Sequence, residues 1–370
     1  MYIPHCPNPA CRWFHEPPAE KWYIHYGYHH TKAFGRVHRF RCKRCGRTFS
    51  TQTFLIDYYA KKVVDYEILL QHLVTASGLL DLSRKLRVRV ETIENRFERF
   101  ARCALAIHAD LLERLPMNED MTADGLETFS YSQYYPCHVN IVAGSLSEFI
   151  YTHGFANLRR KGRMTKEQKQ KRQRLEANGR ADPKSVERSF IRLLGDLTQR
   201  LLEKGITKRK LYTDEHTAYP RAFGKVEGFS QIFVHQRVNS KEPRTKQNPL
   251  FPVNYIDRQI RKDMSDHTRE TVQWAKCPSA LMARMSIYRF YHNCVIPRRV
   301  RESRSGNDQS HAEKAGILKE ELDAIISRHW LKRCFLTKLH LGYEEVNTWL
   351  CRWRNPGISF GRYIPHYIQV

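Results

Sequence analysis

The sequence has few acidic residues for its length and no long apolar segment. Its 370 residues include 38 Asp and Glu against 63 Lys and Arg, which gives a formal net charge of +25. No apolar run approaches the roughly 18 residues that span a bilayer. The first residues, MYIPHCPNPAC, also lack the apolar core of a signal peptide. We therefore expect a cytoplasmic protein whose cysteines are metal ligands or buried thiols rather than disulfides.

The rest of the composition predicts a folded, multi-unit protein. Hydrophobic residues make up 41% of the chain and aromatic residues 12%, enough to build real cores. The length predicts two or three folded units. The excess of positive charge favours a polyanionic partner, of which nucleic acid is the commonest, although a merely soluble basic protein remains the alternative. No HExxH motif occurs, so a zinc-dependent hydrolase has no support.

Four cysteines near the N-terminus have the spacing of a zinc site. Cys6 and Cys11 lie in CPNPAC, whereas Cys42 and Cys45 lie in CKRC. Two short-spaced pairs fit two turns that hold one tetrahedral zinc ion, and Gly46 supplies backbone freedom for the second turn. Between the pairs, apolar and polar residues alternate as in β-strands. We predict a zinc ribbon over residues 1–56.

This zinc site should be structural, because four cysteine ligands leave no open position for a substrate. The alternatives are four unrelated buried cysteines, or a histidine ligand in place of one cysteine, from among His25, His29 and His30. Basic residues around the second pair suit contacts with DNA phosphates; these are Arg41, Lys43, Arg44 and Arg47.

Residues 57–115 are predicted to be a helical DNA-binding unit. Apolar residues recur at three- and four-residue steps over 66–102, and the pattern breaks at RVRV. Two helices joined by a short connection resemble a helix-turn-helix. The second helix would then lie in the major groove and present Arg96 and Arg99 to DNA. An ordinary helical hairpin is the alternative.

The pattern changes to strand type from about residue 118. Three successive antiparallel strands are followed by a strongly basic insertion near 156–186, which we predict to be a long loop or exposed helix. A helix ending near Gly205, a strand, a helix, a strand and a helix follow. This order predicts an α/β, RNase H-like mixed sheet flanked by helices over 116–295. A helical C-terminal region should occupy 296–370.

Three aspartates fall at informative places in that order. Asp124 lies in the first strand, Asp214 at the end of the fourth strand, and Asp257 on the first turns of the late helix. In this fold the two strands are neighbours, and the helix packs across their ends. Clustered carboxylates repel one another unless they share divalent cations, and magnesium or manganese prefers such oxygen ligands. Two such ions about 4 Å apart drive phosphodiester displacement.

The chain resembles DDE-type transposases of bacterial insertion sequences, in the branch with an N-terminal zinc ribbon. The resemblance spans most of the chain and includes TADGLETF, LYTDEHTAYP and NYIDRQIRKDMSDHTRETVQWAKC. It implies that Asp124, Asp214 and Asp257 are catalytic ligands of two magnesium or manganese ions. The third acid is more often Glu in such families, and Asp263, Asp266 and Glu270 lie close by; the motif context favours Asp257.

The resemblance also implies a reaction and its partners. The enzyme would cut element ends in double-stranded DNA and join the 3′-hydroxyl ends to target DNA, as a homodimer or larger oligomer associated with the bacterial nucleoid. Small-molecule cofactors and membranes would have no part. Further DNA contacts would come from Arg258, Arg261 and Arg269. The alternatives are an RNase H-like nuclease and a catalytically inactive DNA-binding regulator derived from a transposase.

Overall fold

The computed structural model describes residues 3–75, 77–268, 273–299, 306, 308–359 and 363–370. The strands are β1 (Tyr23–Thr31), β2 (Gly35–Cys42), β3 (Thr48–Ser50), β4 (Met121–Phe129), β5 (Pro136–Gly144), β6 (Ile150–Asn157), β7 (Arg209–Thr213) and β8 (Phe233–Arg237).

The helices are α1 (Arg12–His15), α2 (Tyr66–Leu73), α3 (Leu79–Lys85), α4 (Val90–Arg114), α5 (Lys166–Ala177), α6 (Ser185–Glu203), α7 (Ala218–Phe223), α8 (Phe229–Ile232), α9 (Phe251–Asp263), α10 (Pro278–Phe290), α11 (His311–Lys314), α12 (Lys319–His329), α13 (Tyr343–Trp349) and α14 (His366–Gln369). A π-helical turn, Tyr291–Val295, continues α10.

A small antiparallel sheet, in the order β1-β2-β3, lies at the N-terminus. The two predicted strands between the cysteine pairs are therefore confirmed. Gly46 has a φ of +70°, as the turn after Cys42 requires. The small core beneath the sheet contains Trp22 and Phe49, which pack against three of the cysteines.

Helices α2 to α4 follow, and the predicted break between α3 and α4 is confirmed. Helix α4 is buried almost all round from Arg96 to Leu112. It packs against α10 and against α3 and α12, so it is the central helix of the molecule. A helix that is covered on every side cannot be inserted into a DNA groove along its length.

A five-stranded mixed sheet, in the order β6-β5-β4-β7-β8, follows the helices. Strands β4, β5 and β6 are antiparallel, whereas β4, β7 and β8 run parallel. The predicted mixed α/β architecture and its order of elements are confirmed. Strand β5 is buried at every residue after Pro136, because both faces of the sheet are covered. Helix α6 covers one face: a side chain at Gly154 would meet Ser189 of α6.

The basic insertion forms α5, an exposed helix without a single buried residue. Thr165 caps its first turn through the backbone N–H of Gln168. Arg159 holds the helix in place by donating two hydrogen bonds to Glu176, at 2.8 and 3.0 Å. Of the two predicted alternatives, a long loop or an exposed helix, the exposed helix is correct.

The C-terminal region packs back onto the rest of the chain. Helix α12 packs on α4, and α13 packs on both α4 and α6. Arg102 of α4 donates a hydrogen bond to the carbonyl oxygen of Trp349 at 3.1 Å. Within the described part of the chain, no helix has the length and apolar character needed to cross a membrane.

Candidate active site and metal cluster

Two of the predicted acids lie side by side at the junction of neighbouring strands. Strands β4 and β7 pair in parallel, with Thr122 opposite Tyr212. Asp124 and Asp214 each lie two residues beyond that pair. Adjacent strands are about 4.8 Å apart, so the register places both carboxylates at the same level of the sheet, where β7 ends at Thr213.

The third predicted acid, Asp257, projects from α9, which packs against β4 and β5. Its Oδ1 is buried and has no hydrogen-bond partner among the described residues. The neighbouring acids are engaged elsewhere: Asp263 accepts a hydrogen bond from the hydroxyl of Tyr288 at 3.0 Å, and Asp266 pairs with Arg284 at 3.4 Å. Of these three acids, Asp257 is the best placed to bind a cation with Asp124. Glu270 lies outside the described residues.

The electrostatics bring the three acids into one cluster. Burial raises the pKa of Asp257 to about 8, and the charge of Asp124 adds to the effect. Burial likewise raises the pKa of Asp124 to about 6, with a further contribution from Asp214. The pKa of buried Tyr219 is raised first by burial and then by the charges of these three acids. The charges of all three acids thus act on this tyrosine, and the charge of Asp124 disfavours ionisation of Asp257.

The aspartates are close but do not form a tight ligand set. Within the described ranges, the four N-terminal cysteines are the only group of three or more His, Cys, Asp or Glu ligand atoms within 4.8 Å of one another. The carboxylates are also held individually. The backbone N–H of Gly125 donates to Asp124 at 2.7 Å, and that of His216 donates to Asp214 at 2.9 Å.

A histidine that was not predicted from the sequence lies beside the acids. The ring of His138 on β5 lies over Gly125 of β4, where an added Cβ would be 1.7 Å from its Nε2. Only glycine permits this close approach, directly after the first catalytic candidate. Burial lowers the pKa of His138 to about 4, so the ring is neutral at physiological pH. The signal was present in CHVNIV, where two polar residues at a spacing of two interrupt an apolar strand.

The four N-terminal cysteines come together as predicted and could hold a metal ion such as zinc. The Sγ atoms of Cys6 and Cys45 are 3.5 Å apart, close to the separation of about 3.8 Å that follows from tetrahedral Zn–S bonds of about 2.3 Å. All ten cysteines of the chain are free thiols. The set contains no histidine, so the alternative of a histidine ligand finds no support here.

Most of the predicted DNA contacts are accessible. The basic residues around the second cysteine pair are all exposed: Arg41, Lys43, Arg44 and Arg47. Arg258 on α9 is exposed as well, whereas Arg261 is partly buried and donates to the carbonyl oxygen of Glu127 at 3.3 Å. Arg269 lies outside the described residues. Whether any of them touches DNA stays a prediction.

The structure contradicts the prediction that Arg96 and Arg99 read DNA. Arg96 is 3% exposed and Arg99 is 5% exposed. Arg96 forms an ion pair with Asp57 at 3.1 Å, and Arg99 donates to the carbonyl oxygens of Ile56 and Tyr58. These guanidinium groups anchor the segment before α2 to the central helix. The exposed basic residues of this region lie on α3 and the following turn: Arg84, Lys85, Arg87 and Arg89.

Two paired substitutions test whether Arg96 stabilises the fold and whether the exposed Arg84 contacts DNA. We expect Arg96→Ala to lower the free energy of unfolding by about 3 kcal/mol, because it leaves Asp57 buried without its partner. Arg84→Ala should change stability by less than about 0.5 kcal/mol but weaken DNA binding and reduce its salt dependence. Urea denaturation and fluorescence anisotropy measure the two effects. A stable Arg96→Ala protein with weakened DNA binding would restore the original prediction.

Three further residues near the acids have defined positions. Glu215 is exposed and accepts a hydrogen bond from the backbone N–H of Ser240 at 3.2 Å, so it does not cap α7. His216 is exposed beside the acids. His267 is completely buried, which excludes a direct contact with a scissile phosphate in this structure.

No protein-family model matches the chain, and no curated protein matches it.

Proposed function

We propose that the protein is a DDE-type DNA transposase that cuts the ends of a mobile element and joins the 3′-hydroxyl ends to target DNA. The observation that carries the proposal is the placement of Asp124 and Asp214 at one level of two adjacent parallel strands, with Asp257 in the same electrostatic cluster. An acidic centre in a chain of net charge +25 suits a metal-dependent enzyme that acts on a polyanion.

We further infer that the five-stranded sheet is an RNase H-like domain and the N-terminal sheet a zinc ribbon. For the first, the support is three antiparallel strands followed by two parallel ones, in the order β6-β5-β4-β7-β8. The second inference rests on four clustered cysteines, two that precede β1 and two at the turn between β2 and β3 of a three-stranded antiparallel sheet. Such a ribbon would bind element ends with the exposed basic residues around Cys42 and Cys45.

The residues of the acidic centre fit magnesium or manganese ions. Their oxygen atoms are the hard ligands that these ions prefer, and the buried, unpartnered Oδ1 of Asp257 requires a proton or a cation. Asp124, Asp214 and Asp257 would hold the ions, which when bound supply activation of water or of a 3′-hydroxyl and stabilise the leaving oxygen. The chain itself fixes Asp124 and Asp214 through backbone N–H donors.

The test is a strand-transfer assay with the full-length protein. The substrate is a labelled duplex that contains the DNA flanking the coding sequence, mixed with a supercoiled target plasmid and Mg²⁺. We expect 3′-end cleavage and covalent joining of the label to plasmid. Cleavage without joining would replace the proposal by a nuclease, and DNA binding without either reaction would replace it by a regulator.

Asp257 allows an independent test of the metal site through stability. A carboxyl group whose folded-state pKa is raised from 3.8 to about 8 binds its proton more tightly in the folded state. Stability without metal should therefore fall as pH rises from about 4 to about 8, when only the unfolded state ionises fully. We expect Asp257→Asn to remove this contribution and to melt a few degrees higher than wild type at pH 8 in EDTA.

Mg²⁺ should reverse the order of the melting temperatures of wild type and Asp257→Asn. At pH 8 it should raise the melting temperature of the wild-type protein but leave that of Asp257→Asn nearly unchanged, because the cation compensates the charge that the variant lacks. Asp323→Asn, at an exposed ion pair on α12, is the control and should respond to Mg²⁺ as wild type does. Equal shifts in all three proteins would argue against Asp257 as a ligand.

A further inference from the structure

A cavity of about 990 Å³ opens beside the acidic centre, between the ends of β4 and β5, the α5 insertion and the start of α6. Ligand pockets typically measure about 300–1,000 Å³, so the space can take a base, a sugar and a phosphate. Its wall includes His216, two residues after Asp214, and Glu127, three residues after Asp124. The three acids themselves are not part of the wall, so the cavity borders the acidic centre through these two neighbours.

The charge of the lining indicates an anionic ligand. Basic side chains that line the cavity are Arg159, Arg160, Lys161, Arg172 and Arg180. The acidic ones are Glu127 and Asp182. The buried Nε of Arg160 has no hydrogen-bond partner in the described part of the chain, and Nε of Arg172 has only an ion pair with Glu176 at 3.7 Å. Both residues also donate through Nη1, Arg160 to the carbonyl oxygen of Gln133 and Arg172 to that of Arg160. Such donors are suited to phosphate oxygens.

The other lining groups indicate a base. Phe129 and Trp274 form an aromatic pair with ring centroids 5.8 Å apart. Nε1 of Trp274 and Oδ1 of Asn157 are buried and also lack partners among the residues described. Oδ1 of Asn157 can accept a hydrogen bond from the polar edge of a base that stacks on Trp274. A bridge between Ser130 and Ala275 ties the tryptophan segment to the end of β4.

We propose that this cavity, the α5 cavity, binds one unpaired nucleotide of a DNA strand next to the scissile phosphate. Its base would stack on Trp274, and its phosphate would lie near Arg160 and Arg172. A cavity of this size takes a single base only when that base is unpaired and turned out of the duplex. The inference rests on the proposed function, since it assumes that the acids act on DNA.

The first test compares two fluorescein-labelled probes, single-stranded dT12 and a 12-unit abasic strand with the same phosphates, in EDTA. Stacking of one base is worth about 1–3 kcal/mol, so we expect wild type to bind dT12 about 10-fold more tightly. Trp274→Ala should lose this preference, whereas Trp274→Phe, which keeps a ring, should retain most of it. An undiminished preference in Trp274→Ala overturns the proposal, provided that the variant melts like wild type.

The second test separates phosphate contacts from general charge. Arg172→Ala should weaken binding of both probes about 5-fold, whereas Arg174→Ala, on the same helix but outside the cavity lining, should weaken it less than about 2-fold. Equal losses would indicate only diffuse electrostatic attraction and overturn the phosphate assignment. Displacement of dT12 by micromolar dTMP would likewise overturn a strand ligand in favour of a free nucleotide.

The third test locates the base and separates this inference from the transposase proposal. Photocrosslinking of dT12 that carries one 4-thiothymidine should label Trp274 or Phe129, as mapped by mass spectrometry; crosslinks confined to other segments overturn the site. If the binding pattern holds but strand transfer never occurs, the nucleotide site stands and the transposase proposal fails. If strand transfer occurs without the base preference, the transposase proposal stands and the nucleotide site fails.

Discussion

Replacement of Asp214 by Asn should reduce strand cleavage by about 10³-fold or more while leaving affinity for DNA within about 2-fold of wild type. The carboxylate lies at the end of β7, in register with Asp124 on β4. Asn keeps the shape and can still accept the hydrogen bond from His216, but it removes the charge that binds a divalent cation. Loss of a metal-based contribution of several kcal/mol corresponds to a rate loss of this size. Asp124→Asn should behave in the same way.

The neighbouring acid provides a matched control. Glu215 follows Asp214 directly but is exposed and bonded to the backbone of Ser240. Glu215→Gln changes the net charge by the same amount, and we expect it to retain cleavage within about 3-fold of wild type. Quantitative cleavage of a labelled end at several Mg²⁺ concentrations distinguishes these cases. If Asp214→Asn and Asp124→Asn both cleave normally, the two-metal mechanism is wrong.

The position of two of the acids was predictable because Asp124 lies in a regular strand and Asp214 directly follows one. The alternating pattern predicted β4, and the short strand-like segment of β7 ends at Thr213, the residue before Asp214. Parallel pairing of the first and fourth strands then brought the two acids together. The choice of Asp257 as the third acid could not be made from helical periodicity, because periodicity does not show which of several acids lacks a partner. Only the contacts of Asp263 with Tyr288 and of Asp266 with Arg284 make that distinction.

Arg96 and Arg99 show where reasoning from local pattern failed. An arginine on an amphipathic helix is normally exposed, but α4 lies at the centre of the molecule. The partners of these arginines, Asp57 and the carbonyl groups of residues 56 and 58, lie about 40 residues earlier in sequence. Such long-range pairing is not visible in a periodicity. The all-round apolar character of α4 after Phe100 was the sign that the helix is buried.

The α5 cavity was equally hidden from the sequence. Its lining comes from five separate segments between Glu127 and Trp274, and no motif joins them. The basic insertion was recognisable as a possible nucleic-acid contact. Its relation to the aromatic pair, however, depends on how α5 is held by Arg159 and Glu176. Charge patterns in a sequence thus predict the class of ligand, whereas the fold determines which part of that ligand, here a single nucleotide, would be bound.

Removal of the zinc ion proposed for the four-cysteine cluster should unfold the N-terminal sheet and abolish specific DNA binding. The core beneath this sheet is small and includes Cys6, Cys11 and Cys42 themselves. Structural zinc contributes about 10 kcal/mol or more to the folding of such units, and so small a core does not replace it. Cys42→Ser should therefore reduce bound zinc from one ion per chain to nearly none. His5 and Phe14, which pack on Phe335, should lose that contact.

The matched control is Cys277→Ser at the start of α10. Cys277 is exposed and accepts a hydrogen bond from the backbone N–H of Ala280, a role that serine fulfils equally well. This variant should keep its zinc, its circular dichroism spectrum and its DNA affinity. In Cys42→Ser the stabilisation by Mg²⁺ at pH 8 should persist, because the acidic centre belongs to the other sheet. Full zinc content in Cys42→Ser would show that Cys42 is not a metal ligand. Unchanged affinity for element ends would show that the cluster has no part in DNA recognition.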